Sequence, residues 1–265
     1  MQKYLGIFRN YFSSSLEYRS NLIGLIIKEM IGMGVILVLW VTIYQSEETV
    51  GGYSLIKTVH YYVLVPFIGI ITQVQLSNEL GKEIKDGLLS SHLTKPYKLW
   101  IGSFMRVLAE KIFTLSMVLP LYILLIIGLD RFFDASLLSM RGVLLGLMIC
   151  LAGFILHFFL DLAITWLAFW TDDVWSFKHF KDIIFGVLGG VSFPFEFLTP
   201  GLQALFHLLP FKFMYYIPLS YMLGDRGADH LVMDLLGITV WIGIMISIAF
   251  ALWQMGVRKY GAYGG

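Results

Sequence analysis

His157 and Asp161 stand four residues apart in the apolar run 142–170. Four residues is about one helical turn, so the two side chains share a face and can reach each other. An ionisable group inside so apolar a run is held there for a purpose. Three purposes fit this pair: a polar clamp between helices, the handling of a proton or of a charged part of a substrate, or acid–base catalysis. Arg106, Glu110 and Lys111 make a second charged group at the start of another apolar run, 104–129. Arg106 and Glu110 are opposite in charge and again four apart, and long side chains in the first turns of a span can reach the membrane surface. Glu196 is different. It sits in PFEFLTP, between Pro194 and Pro200, with no basic residue beside it. Either water in an outward-facing vestibule or a specific hydrogen bond must stabilise its charge.

Other chemistries find little to work with. The six histidines are scattered, with no H-E-x-x-H and no Cys/His cluster, so no metal site is expected. The single cysteine, Cys150, lies in an apolar run and can form no internal disulfide. No G-x-x-x-x-G-K-S/T phosphate loop occurs, so no cofactor is expected in this chain and any ATP hydrolysis has to come from another. A membrane-embedded acyl- or glycosyltransferase would need His, Asp or Glu residues converging at one membrane face. His157 with Asp161 is the pair that offers this.

Composition sets the class. Hydrophobic residues make up 58% of the chain, charged residues only 14%, and the mean hydropathy is +0.77. Soluble domains carry roughly a quarter charged residues, so this is an integral membrane protein. The net charge of +1 gives no basic face for nucleic acid. The first long apolar segment begins after Arg19 and is longer than a signal core, so no signal peptide is expected.

The elements that position these residues follow from segment length. Apolar segments at about 22–44, 55–74, 104–129, 142–170, 183–198 and 235–257 predict six membrane spans in one transmembrane domain over 1–265, each near the roughly 20 residues that a bilayer core requires. Basic residues gather in alternate connections, namely the N-terminal segment, 76–100, 171–181 and the C-terminal segment, which places both termini in the cytoplasm. Residues 1–20 put Leu5, Phe8, Phe12 and Leu16 on one helical face and Lys3, Arg9 and Asn10 away from it, the pattern of a helix lying in the membrane interface.

The bridge 76–100 has its own order. Leu76, Leu80, Ile84 and Leu88 recur every four residues while Glu79, Lys82, Glu83, Lys85 and Asp86 fill the gaps, which predicts an amphipathic helix. Gly87 is its stop, and Pro96 keeps it from running into the next span. The apolar stripe needs a surface to cover it, and a groove on a soluble partner is the expectation. Farther on, Pro194, Pro200, Pro210 and Pro218 interrupt the still apolar run 193–220. Too apolar for a free loop and too broken for one helix, it reads as a re-entrant segment on the outer side, with Phe195, Glu196 and Phe206 at a gate. Gly32 and Gly34 in span one, and Gly186 and Gly190 in span five, permit close contact with a second subunit.

LEYRSN at 16–21, KEIKDGLLSSHLTKP at 82–96, LAFWTDDVW at 167–175, LPFKFMYYIP at 209–218 and the closing GVRKYGAYGG resemble, in order and over nearly the whole chain, landmarks of the ABC-2 type transporter permeases, in particular their daunorubicin-like branch. The resemblance implies an all-α membrane protein of the type V exporter kind: six transmembrane helices, an N-terminal interfacial elbow helix, a cytoplasmic coupling helix and a re-entrant extracellular hairpin. It further implies a dimer with a second permease, identical or sister, in the cell membrane, served by a separate cytosolic ATPase that binds ATP and Mg. Leu80, Glu83, Ile84, Gly87 and Leu88 would be the ATPase-coupling residues. Aromatic-rich, charge-poor spans suit a lipid-like or amphipathic substrate moving outward. The competing readings are a membrane-embedded transferase and a non-transporting, ATPase-driven scaffold.

Overall fold

The computed structural model describes residues 2–17, 19–171 and 174–260. Met1, Tyr18, Asp172, Asp173 and 261–265 lie outside the described residues, and with them parts of the LEYRSN, LAFWTDDVW and GVRKYGAYGG segments. The helices, in chain order, are α1 (Gln2–Glu17), α2 (Arg19–Ile43), α3 (Leu55–Thr72), α4 (Ser77–Lys85), α5 (Leu89–Leu93), α6 (Leu99–Phe133), α7 (Met140–Trp166), α8 (Val174–Leu188), α9 (Pro200–Leu208), α10 (Tyr216–Met222) and α11 (Leu231–Lys259). Among the described residues the only β pairing is an isolated bridge between Val50 and Tyr53.

An apolar chain in a bilayer must satisfy its backbone within each segment, and the helix does so. Among the described residues five stretches are long and apolar enough to cross: Ile26–Ile43, Leu55–Lys85, Leu99–Phe133, Met140–Phe169 and Ala228–Lys259. They match five of the six expected spans. The expected crossing at 183–198 takes another form. α8 begins earlier, at Val174, and its 15 residues rise only about 22 Å, short of the roughly 30 Å of a hydrocarbon core. The chain then turns at Gly190, whose φ of +88° favours glycine. A Cβ there would also press to 2.9 Å from Tyr216 Cβ and 3.0 Å from the Tyr61 hydroxyl.

Beyond this turn run two short 3₁₀ turns, Phe195–Phe197 and Pro210–Phe213, with α9 between them and α10 after. Pro200 and Pro210 each open such an element, where a missing N–H does no harm. The excursion closes on itself, because the Tyr216 N–H donates to the Gly189 carbonyl at 3.0 Å. α3 supplies two further bonds: the Tyr61 hydroxyl donates to the Gly190 carbonyl, and the Tyr62 hydroxyl to the Ser192 carbonyl at 2.7 Å.

α7 is the centre of the packing. A Cβ placed on Gly142, Gly146 or Gly153 would lie 2.5, 2.8 and 2.8 Å from the carbonyl oxygens of Tyr221, Pro218 and Phe213. The α7 backbone therefore touches the α10 segment directly, and the Gly142-x-x-x-Gly146 spacing serves a contact within the chain. Above this seam lies a core of Tyr61, Ile149, Phe195, Ile217 and Tyr221. A second core, of Leu76, Leu80, Ile84, Phe158, Leu162 and Trp166, lies below it. α1 is fastened along α6 by Phe12 edge-on to Phe113 at 5.8 Å, by Arg106 over the Tyr11 ring and by the Lys98 N–H to the Tyr4 hydroxyl at 3.2 Å, while Leu5 and Leu16 face outward.

The seam tolerates no side chain. Gly146→Leu is expected to destabilise the purified protein by about 1–3 kcal/mol through overpacking. Gly128→Leu, at a position with nothing within 4 Å, is expected to stay within about 0.5 kcal/mol of the parent. Thermal unfolding in detergent compares the two.

Candidate functional site

The lower end of α3 is where the charged residues meet. Gln73 turns extended after Thr72, and the chain enters α4 without a capping side chain of its own. Asp161 of α7 does that work from across the fold. Its Oδ2 accepts the Ser77 N–H at 2.9 Å, and the Ser77 hydroxyl reaches Oδ1 at 3.3 Å. The carboxylate thus sits at the positive end of α4, where orphan N–H groups favour an anion. Lys181 of α8 bonds the same carboxylate at 2.5 Å and the Val74 carbonyl at 3.0 Å. Asp161, Ser77 and Lys181 are all buried. One buried ion pair therefore ties together α4, α7, α8 and the exit of α3.

Of the partners open to Asp161, it takes groups on neighbouring helices and not His157 one turn away, which makes it a polar clamp between helices. Both are fully buried on α7, but His157 packs edge-on against Phe185 at 4.6 Å, and among the described residues its ring nitrogens have no hydrogen-bond partner, the Thr72 backbone being the polar group it faces. Lys181 was missed because it stood at the end of an expected loop. The signal was available: a lysine opening the apolar run KDIIFGVLGG needs an anion once that run is helical.

α4 itself is the predicted amphipathic helix. Leu76, Leu80 and Ile84 point inward, onto Val107, Phe158, Leu162 and Trp166. The stripe is therefore covered by this chain, and Leu80 and Ile84 offer no surface to a partner. Gly87 ends the helix as predicted, with φ of +77°. The Leu88 N–H donates to the Glu83 carbonyl at 2.9 Å and the Gly87 N–H to the Ile84 carbonyl at 3.3 Å, which is the Schellman pattern. Glu83 pairs with His92 at 3.0 Å, and His92 reaches the Tyr97 hydroxyl at 3.1 Å, so α4, α5 and the following turn form one unit. Burial pushes the Tyr97 hydroxyl up from its ordinary value, with Tyr11 and Glu83 adding to the shift. Lys82, Lys85, Asp86, Leu88 and Leu93 are among the exposed residues of this unit, and Leu88 at 53% and Leu93 at 47% are its exposed large apolar side chains.

Beside the clamp lies a cavity of about 490 Å³ between α2, α3, α6 and α8. Arg106 bonds Glu79 of α4 and, at 3.0 Å, Glu110, so the expected i, i+4 pair is present and also reaches α4. Lys111 donates to the Ile70 carbonyl at 2.8 Å. Glu29 and Asp182 complete the charged lining.

Phe195, Glu196 and Phe206 come together at the other end of α3. Tyr62 and Thr72 are ten residues apart, about 15 Å along that helix. Phe195 is fully buried, stacks on Tyr216 at 4.0 Å and meets Phe206 edge-on at 5.4 Å. Glu196 accepts the Tyr216 hydroxyl at 2.8 Å through Oε1, while Oε2 is buried without a partner. The hydrogen bond, not an open vestibule, is what this carboxylate has. Nearby, the Tyr53 hydroxyl bonds Asp225 at 2.8 Å and is pushed up by burial first and by Glu196 and Asp225 after it. Burial lowers Arg226, but its bonds to Asp234 at 2.5 and 2.8 Å outweigh that and hold it above its ordinary value.

Among the described residues no group of three or more His, Cys, Asp or Glu side chains converges to hold a metal. A family profile described as ABC-2 family transporter protein matches residues 30–264. No curated protein and no solved structure matches the chain.

Breaking the clamp on one side strands a buried charge. Lys181→Met is expected to destabilise by about 3–5 kcal/mol, and Asp161→Asn in the same chain to recover part of it. His157→Phe, which removes two unpartnered ring nitrogens, is expected to be neutral or stabilising. Melting temperatures of the four proteins in one detergent decide it, and a large loss on His157→Phe would give that ring a polar partner.

Proposed function

The chain belongs to the ABC-2 family of transporter proteins, and from that membership we propose that it is the permease subunit of an exporter driven by a separate cytosolic ATPase. ATP and Mg belong to that partner, and the permease acts as a dimer with an identical chain or a sister permease in the cell membrane. A lipid-like or amphipathic substrate moves outward, and both termini lie in the cytoplasm.

The observation that carries this reading is the way α4 is held. A movable peripheral helix would be attached by surface contacts, whereas α4 is capped by a buried carboxylate of α7 that is also bonded to α8. α8 runs directly into the Gly189–Gly190 turn and the broken outer segment. A displacement imposed on the tip of α4 is delivered through packed atoms to α8, and through α8 to the segment carrying Phe195 and Phe206. The handle for the ATPase is the exposed tip, Leu88 and Leu93 with Lys82 and Asp86 around them. In the dimer, Gly32 and Gly34 of α2 stand open for close approach, whereas Gly190 is occupied by Tyr216 and Tyr61 of its own chain.

With the partner ATPase co-expressed, Leu88→Asp combined with Leu93→Asp is expected to lower substrate-stimulated ATPase activity and transport at least about tenfold, as loss of an apolar anchor does at an interface, while the permease keeps its melting temperature. Ile84→Asp is expected to fail earlier, by unfolding the lower core. Full coupling in the double variant would sink the assignment of the tip. A cysteine at Phe195 should be inert to an external membrane-impermeant thiol reagent at rest and react during nucleotide turnover. Inertness in every nucleotide state would make the outer segment a static anchor.

A further inference from the structure

The cavity between α2, α3, α6 and α8, at about 490 Å³, is in the range that holds a small organic molecule. Its charged lining is not uniform. Arg106 is engaged by both Glu79 and Glu110, one cation between two carboxylates, and the negative charge left over lies on side chains that are 62% and 45% exposed and so is met by solvent. What remains is a donor with spare capacity on one side and acceptors with spare capacity on the other. Lys111 has three ammonium hydrogens, and its hydrogen-bond partner is a single carbonyl, that of Ile70, with the Phe154 ring 5.5 Å away. Asp182 has a buried Oδ1 without a hydrogen-bond partner. Its nearest cation on that side, Lys181 at 3.9 Å, is already bonded to Asp161 and to the Val74 carbonyl. The other carboxylate oxygen of Asp182 pairs with Lys178 at 3.3 Å. Glu29 has the largely exposed Lys28 at 3.5 Å. The rest of the wall is apolar, with Val65, Ile70, Phe185 and Val191.

We infer that this cavity binds a zwitterionic amphiphile, its ammonium on Asp182 and Glu29, its anionic group on Lys111 and its hydrocarbon along the apolar wall. A simple cation would satisfy Asp182 but bring a like charge towards Lys111. A simple anion would face Asp182 and Glu29. A head carrying both signs meets both needs, and a chain attached to it gives the apolar wall something to bury. The inference rests on the export reading for the purpose of the cavity, as the place where substrate is loaded, and on the side chains alone for its chemistry.

The test uses the purified full chain in detergent, with thermal stabilisation titrated by dioleoylphosphatidylethanolamine. Dioleoylphosphatidylglycerol and dodecyltrimethylammonium serve as single-sign amphiphiles, and glycerophosphoethanolamine as the head without chains. Phosphatidylethanolamine is expected to stabilise saturably, with a midpoint about tenfold below that of either single-sign amphiphile, as loss of one charge-assisted bond implies. The head alone is expected to be weaker than the lipid. Selectivity should then move with the side chains. Asp182→Asn is expected to lose preference against phosphatidylglycerol, and Lys111→Met against dodecyltrimethylammonium, a split that general misfolding does not produce. Glu29→Gln, on the outer part of the lining, gives a milder change in the direction of Asp182→Asn and serves if the others fail to fold. Equal midpoints for all three amphiphiles, or selectivity unchanged in every variant, overturn the inference. Binding of the head as tightly as of the lipid overturns the amphiphile and leaves a soluble zwitterion. Selective binding that no ATPase ever couples to movement would instead overturn the export reading and leave this one standing.

Discussion

A carboxylate cut off from water has to find its partners within the protein, and the lower half of this molecule is arranged around the ones that Asp161 finds. The bond to the Ser77 N–H starts α4, the bond to Lys181 locates α8, and Lys181 in turn satisfies the Val74 carbonyl where α3 ends. Each of those groups would be an uncompensated polar atom if the others moved away. Buried pairs of this kind contribute little net stability compared with a well-packed apolar cluster, but losing one partner is costly, so they dictate arrangement more than they add strength. The apolar stripe of α4 then follows the cap, because a helix tethered at its first turn on α7 lays Leu80 and Ile84 onto Phe158 and Leu162.

The same requirement acts at the other end of α3 with different chemistry. There the backbone leaves the helix at Gly190, and its carbonyls are met by tyrosine hydroxyls rather than by charge. Tyrosine suits this position because its ring buries with the core while its hydroxyl reaches a carbonyl. Tyr216 does three things: its N–H closes the excursion on Gly189, its ring stacks on Phe195, and its hydroxyl holds Glu196. α3 is thus the strut between an ionic joint below and an aromatic joint above, and α8 is the second connection between them.

Two helices stand apart from this framework. In α2 no residue of the apolar stretch 26–43 is buried, and α1 is attached by one side to α6 and to the turn before it, where Lys3 bonds the Pro96 carbonyl. Together with α6 and α8, α2 walls the charged cavity through Glu29. α2 packs on the framework near its C-terminal end, where Trp40 stacks on Tyr62 at 5.8 Å and meets Phe197 at 5.1 Å. A cavity that it borders through Glu29 is therefore less tightly enclosed than the α7 seam, where glycine backbones meet carbonyls directly.

Length and apolarity alone determined the membrane class and placed five of the helices long and apolar enough to cross, because satisfying the backbone in hydrocarbon is a requirement each segment meets by itself. The same is true of the Gly87 stop, which depends on the conformation of one residue. Partnership was not local. A four-residue spacing puts His157 within reach of Asp161, but reach does not decide between a histidine one turn away and the ammonium of Lys181 on another helix, which gives a stronger bond. A four-residue repeat shows that one face of α4 is apolar, but it cannot say whether a partner protein or the same chain covers that face. The fifth apolar segment reads as a crossing from its apolarity, but its helix stops at Leu188 and the chain turns at Gly190, and the tyrosines of α3, more than a hundred residues earlier, hold the backbone beyond that turn.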